Sequence, residues 1–391
     1  MPPERQLTHI RIKGYRPFKD FGASFGPLEV IVGANAAGKS SLFEFLRFLR
    51  DGMRQEIPPA IVPGSVGQQP FHVPGDETIR WVASVFLDAE THCTYSGEVT
   101  GPAGRPYVLR ESVRVDQRLE PLSPFRGWAL EAERGQGSAL EIGGDGRQKI
   151  AVDRPDQLAL GTMNNPALPT LYRLRECISN WRFYSAFNIA NDKVRRPVPI
   201  EQAPTLNEDA GNLSSVLFYL MTEHAPIFEE LEHHLRTLVP GLTALTVKAR
   251  GGPGEAIAFW EEEDVDSGLT IADVSDGVLR LLSWLVLCLH PKPSPLICID
   301  EPDQGVHPRT LPVLAALFEK ACERTQFLLA THASYFLTQF DLSRIAVMKK
   351  EDGDVKYLKP ADSEVLKANL EDFGPEEIEA MHRTDEMENL V

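Results

Sequence analysis

The sequence predicts an α/β fold in which the two ends of the chain form one mixed and parallel sheet with flanking helices. Near each end, apolar strand-like runs alternate with segments of helical periodicity, a pattern typical of parallel strand–helix–strand units. Between the ends, the chain is rich in Pro, Gly and short strand-like runs and then becomes helical. We therefore expect an inserted β-meander and a short helical subdomain.

The N-terminal part, residues 1–55, begins with the alternating run 7–13, which is typical of a half-buried strand. The near-continuous apolar run 28–32 predicts a second and more deeply buried strand. Gly33 ends this strand, and from Ser40 onward apolar residues recur at helical spacing.

The middle of the chain changes character at about residue 156. Residues 56–156 contain β-like runs such as 79–87, so they predict an antiparallel meander. Residues 157–264 contain amphipathic helical patterns at 171–181 and 209–238, so they predict the helical subdomain.

The C-terminal part, residues 265–391, returns to the α/β pattern. A predicted helix at 278–289 precedes the strand 296–300, and a second helix at 311–324 precedes the strand 326–330. Strands separated by helices favour parallel crossovers, so these elements are expected to join the N-terminal strand in one sheet.

Composition limits the possible partners. The 391 residues include 40 basic and 56 acidic side chains, a formal net charge of −16. Since a protein that coats nucleic acid with its whole surface carries the opposite sign, a DNA contact would need a local basic patch or a partner. The run 193–196 is one candidate for such a patch, but a solvated loop is the favoured interpretation. The five cysteines are widely spaced, which indicates free thiols in a reducing compartment. The chain shows no signal-like N-terminus and no apolar run long enough for a bilayer, so we expect a cytoplasmic protein without a membrane contact.

Residues 33–40 match the phosphate-loop pattern G-x-x-x-x-G-K-[ST] in full, between an apolar strand and an amphipathic helix. Glycines let backbone N–H groups converge on phosphate oxygens, and the helix adds its positive N-terminal end. Lys39 is expected to reach the β- and γ-phosphates, and Ser40 to ligate Mg²⁺. A chance glycine-rich turn is disfavoured because strand, loop and helix are in register. The predicted nucleotide-binding residues of this loop are Gly33, Asn35, Ala36, Ala37, Gly38, Lys39, Ser40 and Ser41.

Two carboxylates follow the apolar run 296–299. A buried strand that ends in Asp300 and Glu301 is costly unless these charges meet a cation and a water molecule. Asp300 is expected to hold Mg²⁺ through its hydration shell, and Glu301 to act as general base toward the attacking water. Many strands end in acidic turns, but together with the phosphate loop this pair predicts ATP hydrolysis with Mg²⁺ as cofactor.

Two further segments depend on the stronger motifs for their interpretation. Ser275 or Asp276 is a natural N-cap for the following helix, so the segment 275–277 alone predicts only a capped helix. His332 follows the strand 326–330, where an imidazole could hydrogen-bond a γ-phosphate, although a single His at such a position is usually structural.

Taken in order, these four segments resemble the ABC-type P-loop ATPase heads of the RecF, SMC and OLD group. Within it, they are most similar to the short AAA-type ATPases found in bacterial anti-phage and abortive-infection operons. Residues 10–20 resemble that family's first strand and turn, 301–308 its D-loop, and 275–277 its shortened signature. The hairpin at 345–358 and the segment 366–373 also fit, whereas the resemblance is weak in the middle of the chain.

The resemblance implies a homodimer, or a higher oligomer, with ATP held between two heads. Ser275 and Gly277 of one chain would contact the γ-phosphate bound by the other, and Asp303 would lie near the dimer seam. Glu301, Lys39 and His332 would be the catalytic residues. The resemblance also implies a separately encoded effector protein, of which a nuclease is one candidate, in an anti-phage defence system.

The chain departs from the resemblance in two respects. The glutamine of the Q-loop cannot be assigned, since Gln55, Gln68 and Gln69 are all candidates, and the long coiled coil of SMC proteins is missing. A RecF- or SMC-like repair ATPase that binds DNA directly is the alternative function. A transporter subunit is disfavoured by the long separation of Gly33 and Asp300.

Overall fold

The computed structural model describes residues 5–61, 69–75, 77–101, 105–118, 124–140, 148–165, 167–185, 192–263, 265 and 268–362. The strands, numbered in chain order, are β1 (Gln6–Tyr15), β2 (Phe18–Ser24), β3 (Leu28–Val32), β4 (Thr78–Phe86), β5 (Thr91–Thr100), β6 (Tyr107–Arg118), β7 (Pro124–Glu133), β8 (Gln136–Ala139), β9 (Gln148–Ala151), β10 (Arg182–Ser185), β11 (Val198–Pro199), β12 (Leu242–Ala249), β13 (Glu255–Glu262), β14 (Leu269–Thr270), β15 (Leu296–Asp300), β16 (Gln326–Ala330), β17 (Ile345–Glu351) and β18 (Asp354–Leu358). The α-helices are α1 (Lys39–Gly52), α2 (Pro169–Ser179), α3 (Leu213–Glu223), α4 (Ala225–Leu238), α5 (Asp276–Leu289), α6 (Leu311–Ala321) and α7 (Ser334–Leu337).

The central sheet has the strand order β10-β15-β16-β3-β17-β18. The first five strands are parallel to their neighbours, and β18 returns antiparallel to β17 as a hairpin. The N-terminal β3 therefore lies between strands from the C-terminal part, as the alternation of strands and helices predicts. The central sheet also contains one strand that was not predicted, β10, which comes from the segment expected to be helical. The division of the chain into four segments stays a prediction.

The predicted meander forms an antiparallel sheet with the order β2-β1-β4-β5-β6-β7-β8-β9. β1 was expected to belong with the central sheet, but it pairs with β2 on one side and β4 on the other. The physical reason is its alternation: Ile10 and Ile12 are fully buried whereas Arg11 is exposed, so the strand suits a sheet with one covered face.

The central sheet is buried on both faces. In β15, Ile297 and Ile299 pack into the apolar cluster that includes α3 to α6, whereas Leu296 and Cys298 pack into the cluster of α1, α2 and the antiparallel sheet. Successive strand residues point to opposite faces, so a continuous apolar run is needed to fill both. The five cysteines are buried and free, as their spacing predicts.

The helical segment differs from its prediction in two places. The pattern at 209–238 is two helices, because α3 ends at Glu223 and α4 starts again at Ala225 with Pro226 in its first turn. A small antiparallel sheet, β11-β13-β12 with β14 on β13, packs against these helices. The sequence pattern of residues 157–264 predicted only helices, so this sheet was not expected.

The C-terminal hairpin is fastened to the N-terminal part by two carboxylates. Glu29, only 1% exposed, accepts hydrogen bonds from the Tyr357 hydroxyl at 3.0 Å and from Lys359 Nζ at 2.5 Å. Asp354 accepts from the backbone N–H of Lys19 at 3.0 Å. The predicted hairpin at 345–358 is thus present, while the predicted segment 366–373 lies outside the described residues.

Candidate functional site

The predicted site residues gather at the carboxyl edge of the central sheet. Because β10, β15, β16, β3 and β17 are parallel, their carboxyl ends meet at one edge. Open α/β sheets bind their ligands at such an edge. The loop after β3 is the predicted phosphate loop, and β15 ends at Asp300.

The phosphate loop is a tight turn that only small residues permit. Gly33 and Gly38 have φ values of 151° and 100°, and Ala36 lies between them at 67°. A Cβ on Gly33 would lie 2.1 Å from the Met348 carbonyl oxygen in β17. The loop is therefore pressed against the neighbouring strand, and its curvature gives the concave backbone that binds phosphate in proteins of this type. Ala34, Asn35 and Ala36 are exposed, and Ala37 is buried.

Lys39 begins α1 directly after this turn and is only 6% exposed. Its Nζ donates to the carbonyl oxygens of Gly33 at 2.5 Å and Ala34 at 3.2 Å. The cation is thus held inside the loop, where it and the positive end of a 14-residue helix favour an anionic ligand. Ser41 follows in the first turn and is half-buried.

Ser40 and Asp300 meet across the site. The Ser40 hydroxyl donates to Asp300 Oδ2 at 3.2 Å, although the residues are 260 positions apart. A hydroxyl and a carboxylate are hard oxygen ligands, and Mg²⁺ is commonly held by one or two such groups together with substrate phosphates. The donor set therefore fits the predicted cofactor. The described residues hold no group of three or more His, Cys, Asp or Glu side chains arranged for a metal ion.

Glu301 has an unusual backbone conformation. Its φ is 55°, in the left-handed region that costs a residue with a β-carbon about 1–2 kcal/mol. The conformation is fixed because its N–H donates to Ala330 O at 2.8 Å and its carbonyl accepts from the Gln304 N–H at 3.1 Å. Such strain persists where the surrounding structure enforces it and clusters at functional sites.

The predicted D-loop contacts the end of β16. The hydroxyl of Thr331, which is fully buried, donates to Asp303 Oδ1 at 2.6 Å and accepts from the Ala333 N–H at 2.9 Å. His332 lies between these contacts and is exposed. Asp303 is thus hydrogen-bonded to Thr331, which directly precedes His332, at the same edge as Asp300.

The predicted signature segment is packed on the D-loop. Ser275 is the N-cap of α5, and a Cβ on Gly277 would lie 2.7 Å from the Gly305 carbonyl oxygen. Arg280 Nη1 donates to the Gln304 carbonyl at 2.8 Å, so the first turns of the helix and the turn after β15 are bonded together. The structure thus brings Ser275 and Gly277 to the D-loop, whereas the phosphate loop lies two strands away, beyond β16.

The glutamine of the Q-loop stays unassigned. Gln55 follows the C-terminus of α1, which places it roughly 20 Å from the phosphate loop at 1.5 Å per residue. Gln68 lies outside the described residues. A residue outside the predicted motifs, Ser185, ends β10 and is the register partner of Asp300. Sequence reasoning missed it because β10 has only four residues and carries no motif.

A second missed feature is a cleft of about 360 Å³ beside the phosphate loop. Residues 34–37 form one wall, and Lys349, Lys350 and Glu351 at the end of β17 form the other. The two lysines place positive charge next to the loop, which favours a polyphosphate. The sequence analysis did not single out these lysines, because it identified β17 only as part of a hairpin and gave no strand next to β3.

Residues 29–338 match the sequence profile of a family described as "AAA domain, putative AbiEii toxin, Type IV TA system". A search of curated protein sequences gives no match. Within the described part of the chain, no helix has both the length and the apolar character to cross a membrane.

Solved structures of SMC heads have a similar fold. The SMC head bound to the C-terminal winged-helix domain of ScpA is 15% identical, with a TM-score of 0.57 over 90% of this chain and 97% of that chain. The SMC head of Pyrococcus furiosus, with an extended coiled coil and bound to the C-terminal domain of ScpA, is 13% identical, with a TM-score of 0.58 over 94% and 100%. The head of Pyrococcus yayanosii is 11% identical, with a TM-score of 0.53 over 94% and 99%. These values establish the predicted fold class, an ABC-type ATPase head.

Proposed function

Because the chain belongs to the AAA-domain family whose description names the AbiEii toxin, we propose that it hydrolyses ATP and dimerises around it. The observation that carries the proposal is the 3.2 Å contact between Ser40 of the phosphate loop and Asp300 of β15. It joins the two motifs that phosphoryl transfer requires, the phosphate cradle and the carboxylate of the metal site.

The proposed reaction assigns a task to each group. Lys39 turns from the carbonyls of its own loop to the β- and γ-phosphates. Ser40 and Asp300 would hold Mg²⁺, which would supply positive charge to offset that of the phosphates. Glu301 accepts a proton from the attacking water while the water oxygen bonds to the γ-phosphorus and the bond to the ADP oxygen breaks. His332, exposed at the same edge, supplies a hydrogen bond to the γ-phosphate.

The dimer completes each site in this proposal. Ser275 and Gly277 stand at the N-terminus of α5, whose positive end favours an anionic group. The phosphate loop of the same chain lies on the far side of β16, which supports contact with a nucleotide held by another copy. Asp303 lies near the seam, and ATP joins the two heads until hydrolysis releases them.

The biological role proposed for this cycle is control of a separate effector, such as a nuclease, in a bacterial anti-phage defence system. The family's description as a toxin component supports a defence setting. The alternative, direct DNA binding, has less support, because Lys193 of the basic run pairs with Asp209 at 2.9 Å and Arg195 pairs with Asp276 at 2.5 Å. Two of its cations are therefore engaged within the chain.

The test compares wild type, Glu301→Gln and Glu319→Gln with ATP and Mg²⁺, without and with double-stranded DNA. Glu319 lies on α6 and pairs with Arg344 at 3.2 Å, so it is a matched control away from the site. Phosphate release and mass by light scattering are followed in parallel. We expect Glu301→Gln to lower the hydrolysis rate about 10²–10⁴-fold, as loss of a general base does. It should accumulate as an ATP-dependent dimer, and Glu319→Gln should behave as wild type.

Two outcomes would contradict the proposal. If hydrolysis survives in Glu301→Gln, the assignment of the general base is wrong. If ATP changes the mass of neither the wild type nor Glu301→Gln, the proposal of an ATP-dependent dimer is wrong. Stimulation of hydrolysis by DNA would favour the repair ATPase instead.

A further inference from the structure

The predicted signature loop is held by two kinds of contact. Within the loop, Asp273 Oδ2 accepts from the Thr270 N–H and hydroxyl, each at 2.9 Å, which closes a turn after β14. From outside the loop, one side chain donates to three acceptors, on residues 272, 274 and 276. This side chain is Arg195, at the end of the 3₁₀ turn Asp192–Arg195.

Arg195 binds the loop on both sides of Ser275. Its Nη1 donates to the carbonyl oxygens of Ala272 at 2.6 Å and Val274 at 2.8 Å, and its Nη2 donates to Asp276 Oδ1 at 2.5 Å. Its side chain is only 21% exposed. A planar guanidinium can direct donors at several acceptors in one geometry, whereas a lysine ammonium is a flexible point charge. The three bonds therefore fix the path of the backbone through residue 275.

Helix stability does not explain this arrangement. A cation at a helix N-terminus is opposed by the helix dipole, and Asp276 at the first position of α5 would serve the helix without a partner. Ala272 is exposed, so water could satisfy its carbonyl group, whereas Val274 is buried and Arg195 supplies a donor for its carbonyl. What Arg195 adds is a single conformation for a loop that would otherwise sample several.

The chain also connects Arg195 to the metal side of the site. The 3₁₀ turn is the next described element after β10, whose last residue, Ser185, is the register partner of Asp300.

We propose that Arg195 is a positioning residue, which holds residues 272–276 so that Ser275 and Gly277 can engage the nucleotide of a second copy of this chain. The inference rests on the proposed dimer. In this scheme Arg195 supports the nucleotide site of the partner protomer. It does not contact the phosphate loop of its own chain.

The test uses mixtures of variants whose defects fall in different halves of a composite site. Arg195→Ala should have an intact phosphate loop and a defective signature, and Lys39→Ala should have the reverse. Each alone is expected to lose ATP hydrolysis at least tenfold. Random pairing of equal amounts makes half of the dimers mixed, each with one complete site, so about a quarter of wild-type activity should return. A merely structural defect in Arg195→Ala would not be rescued.

Three controls complete the design. Ser275→Arg mixed with Lys39→Ala tests the dimer itself. Lys193→Ala removes a neighbouring cation of the same turn, whose partner is Asp209, and should keep wild-type activity. Arg195→Lys should recover only part of the activity, because it keeps the charge and loses the planar geometry.

The outcomes separate the two proposals. Recovery with both Arg195→Ala and Ser275→Arg supports the inference. Recovery with Ser275→Arg but not with Arg195→Ala overturns the inference and leaves the dimer standing. Failure of both mixtures overturns the dimer, and the inference with it.

Discussion

Gly33→Ala is the substitution for which the structure gives the most definite expectation. The added Cβ would lie 2.1 Å from the Met348 carbonyl oxygen, which belongs to the backbone of a central strand and cannot rotate away. The φ of 151° adds a conformational penalty of about 1–2 kcal/mol. Relief of the overlap requires β17 and the phosphate loop to separate, and overpacking of this kind costs about 1–3 kcal/mol. We therefore expect a loss of roughly 2–5 kcal/mol in the free energy of unfolding.

Gly353→Ala is the matched control. Gly353 has a φ of 79° in the hairpin that follows β17, and an added Cβ there would meet nothing within 4 Å. Its cost should be the conformational penalty alone, about 1 kcal/mol. The difference between the two variants therefore isolates the close approach of the phosphate loop to β17.

The assay is urea unfolding followed by tryptophan fluorescence, together with calorimetric titration of ATP and Mg²⁺. Gly33→Ala should also bind ATP at least tenfold more weakly, because moving the loop away from Met348 distorts the backbone turn that is proposed to bind the phosphates. Gly353→Ala should bind ATP as wild type does. Equal destabilisation of both variants, with unchanged ATP affinity, would refute the steric reasoning.

Three further expectations follow from buried polar groups. Burial raises the pKa of Glu111 from its usual 4.5 to about 7, so the stability contributed by its neutral form should be complete below pH 4.5 and lost as the pH rises through 7. Glu111→Gln should remove this dependence from urea midpoints measured between pH 4 and pH 8. Thr331→Val should leave Asp303 without its 2.6 Å partner and slow hydrolysis with little change in ATP affinity, as steady-state kinetics can show. Trp284→Phe removes the 3.0 Å bond to the Pro302 carbonyl and should cost about 1–3 kcal/mol in urea unfolding; an unchanged midpoint would contradict this.

The parts of the site that sequence could predict are those whose chemistry is local. The phosphate loop needs glycines, Lys39 and Ser40 within eight consecutive positions, and its flanking strand and helix are visible in the same window. The pair Asp300 and Glu301 was recognisable because carboxylates directly follow four apolar residues. In each case the signal and the function lie in one short segment.

The parts that sequence could not predict depend on pairing at long range. The alternation of β1 suits a sheet with one covered face, but it does not specify that β2 and β4 are the strands that pair with it. Ser185 lies beside Asp300 only because β10 pairs with β15. Arg195 stood in a basic run that suggested a solvated or DNA-binding loop, since its three acceptors lie about 80 positions away.

The place of β3 in the central sheet has a consequence for how the protein folds. β3 is complete at Val32, yet both of its neighbours, β16 and β17, come from residues 326–351. The entropy of closing so long a loop must be overcome before these pairs form, which makes such pairing slow. During synthesis, all strands of the antiparallel sheet have been made by residue 151. Both edges of β3 stay unpaired until β16 and β17 have been made. Nascent chains that stop before residue 326 therefore leave both edges of β3 unpaired, which favours aggregation, and the proposed nucleotide site is complete only after nearly the whole chain has been made.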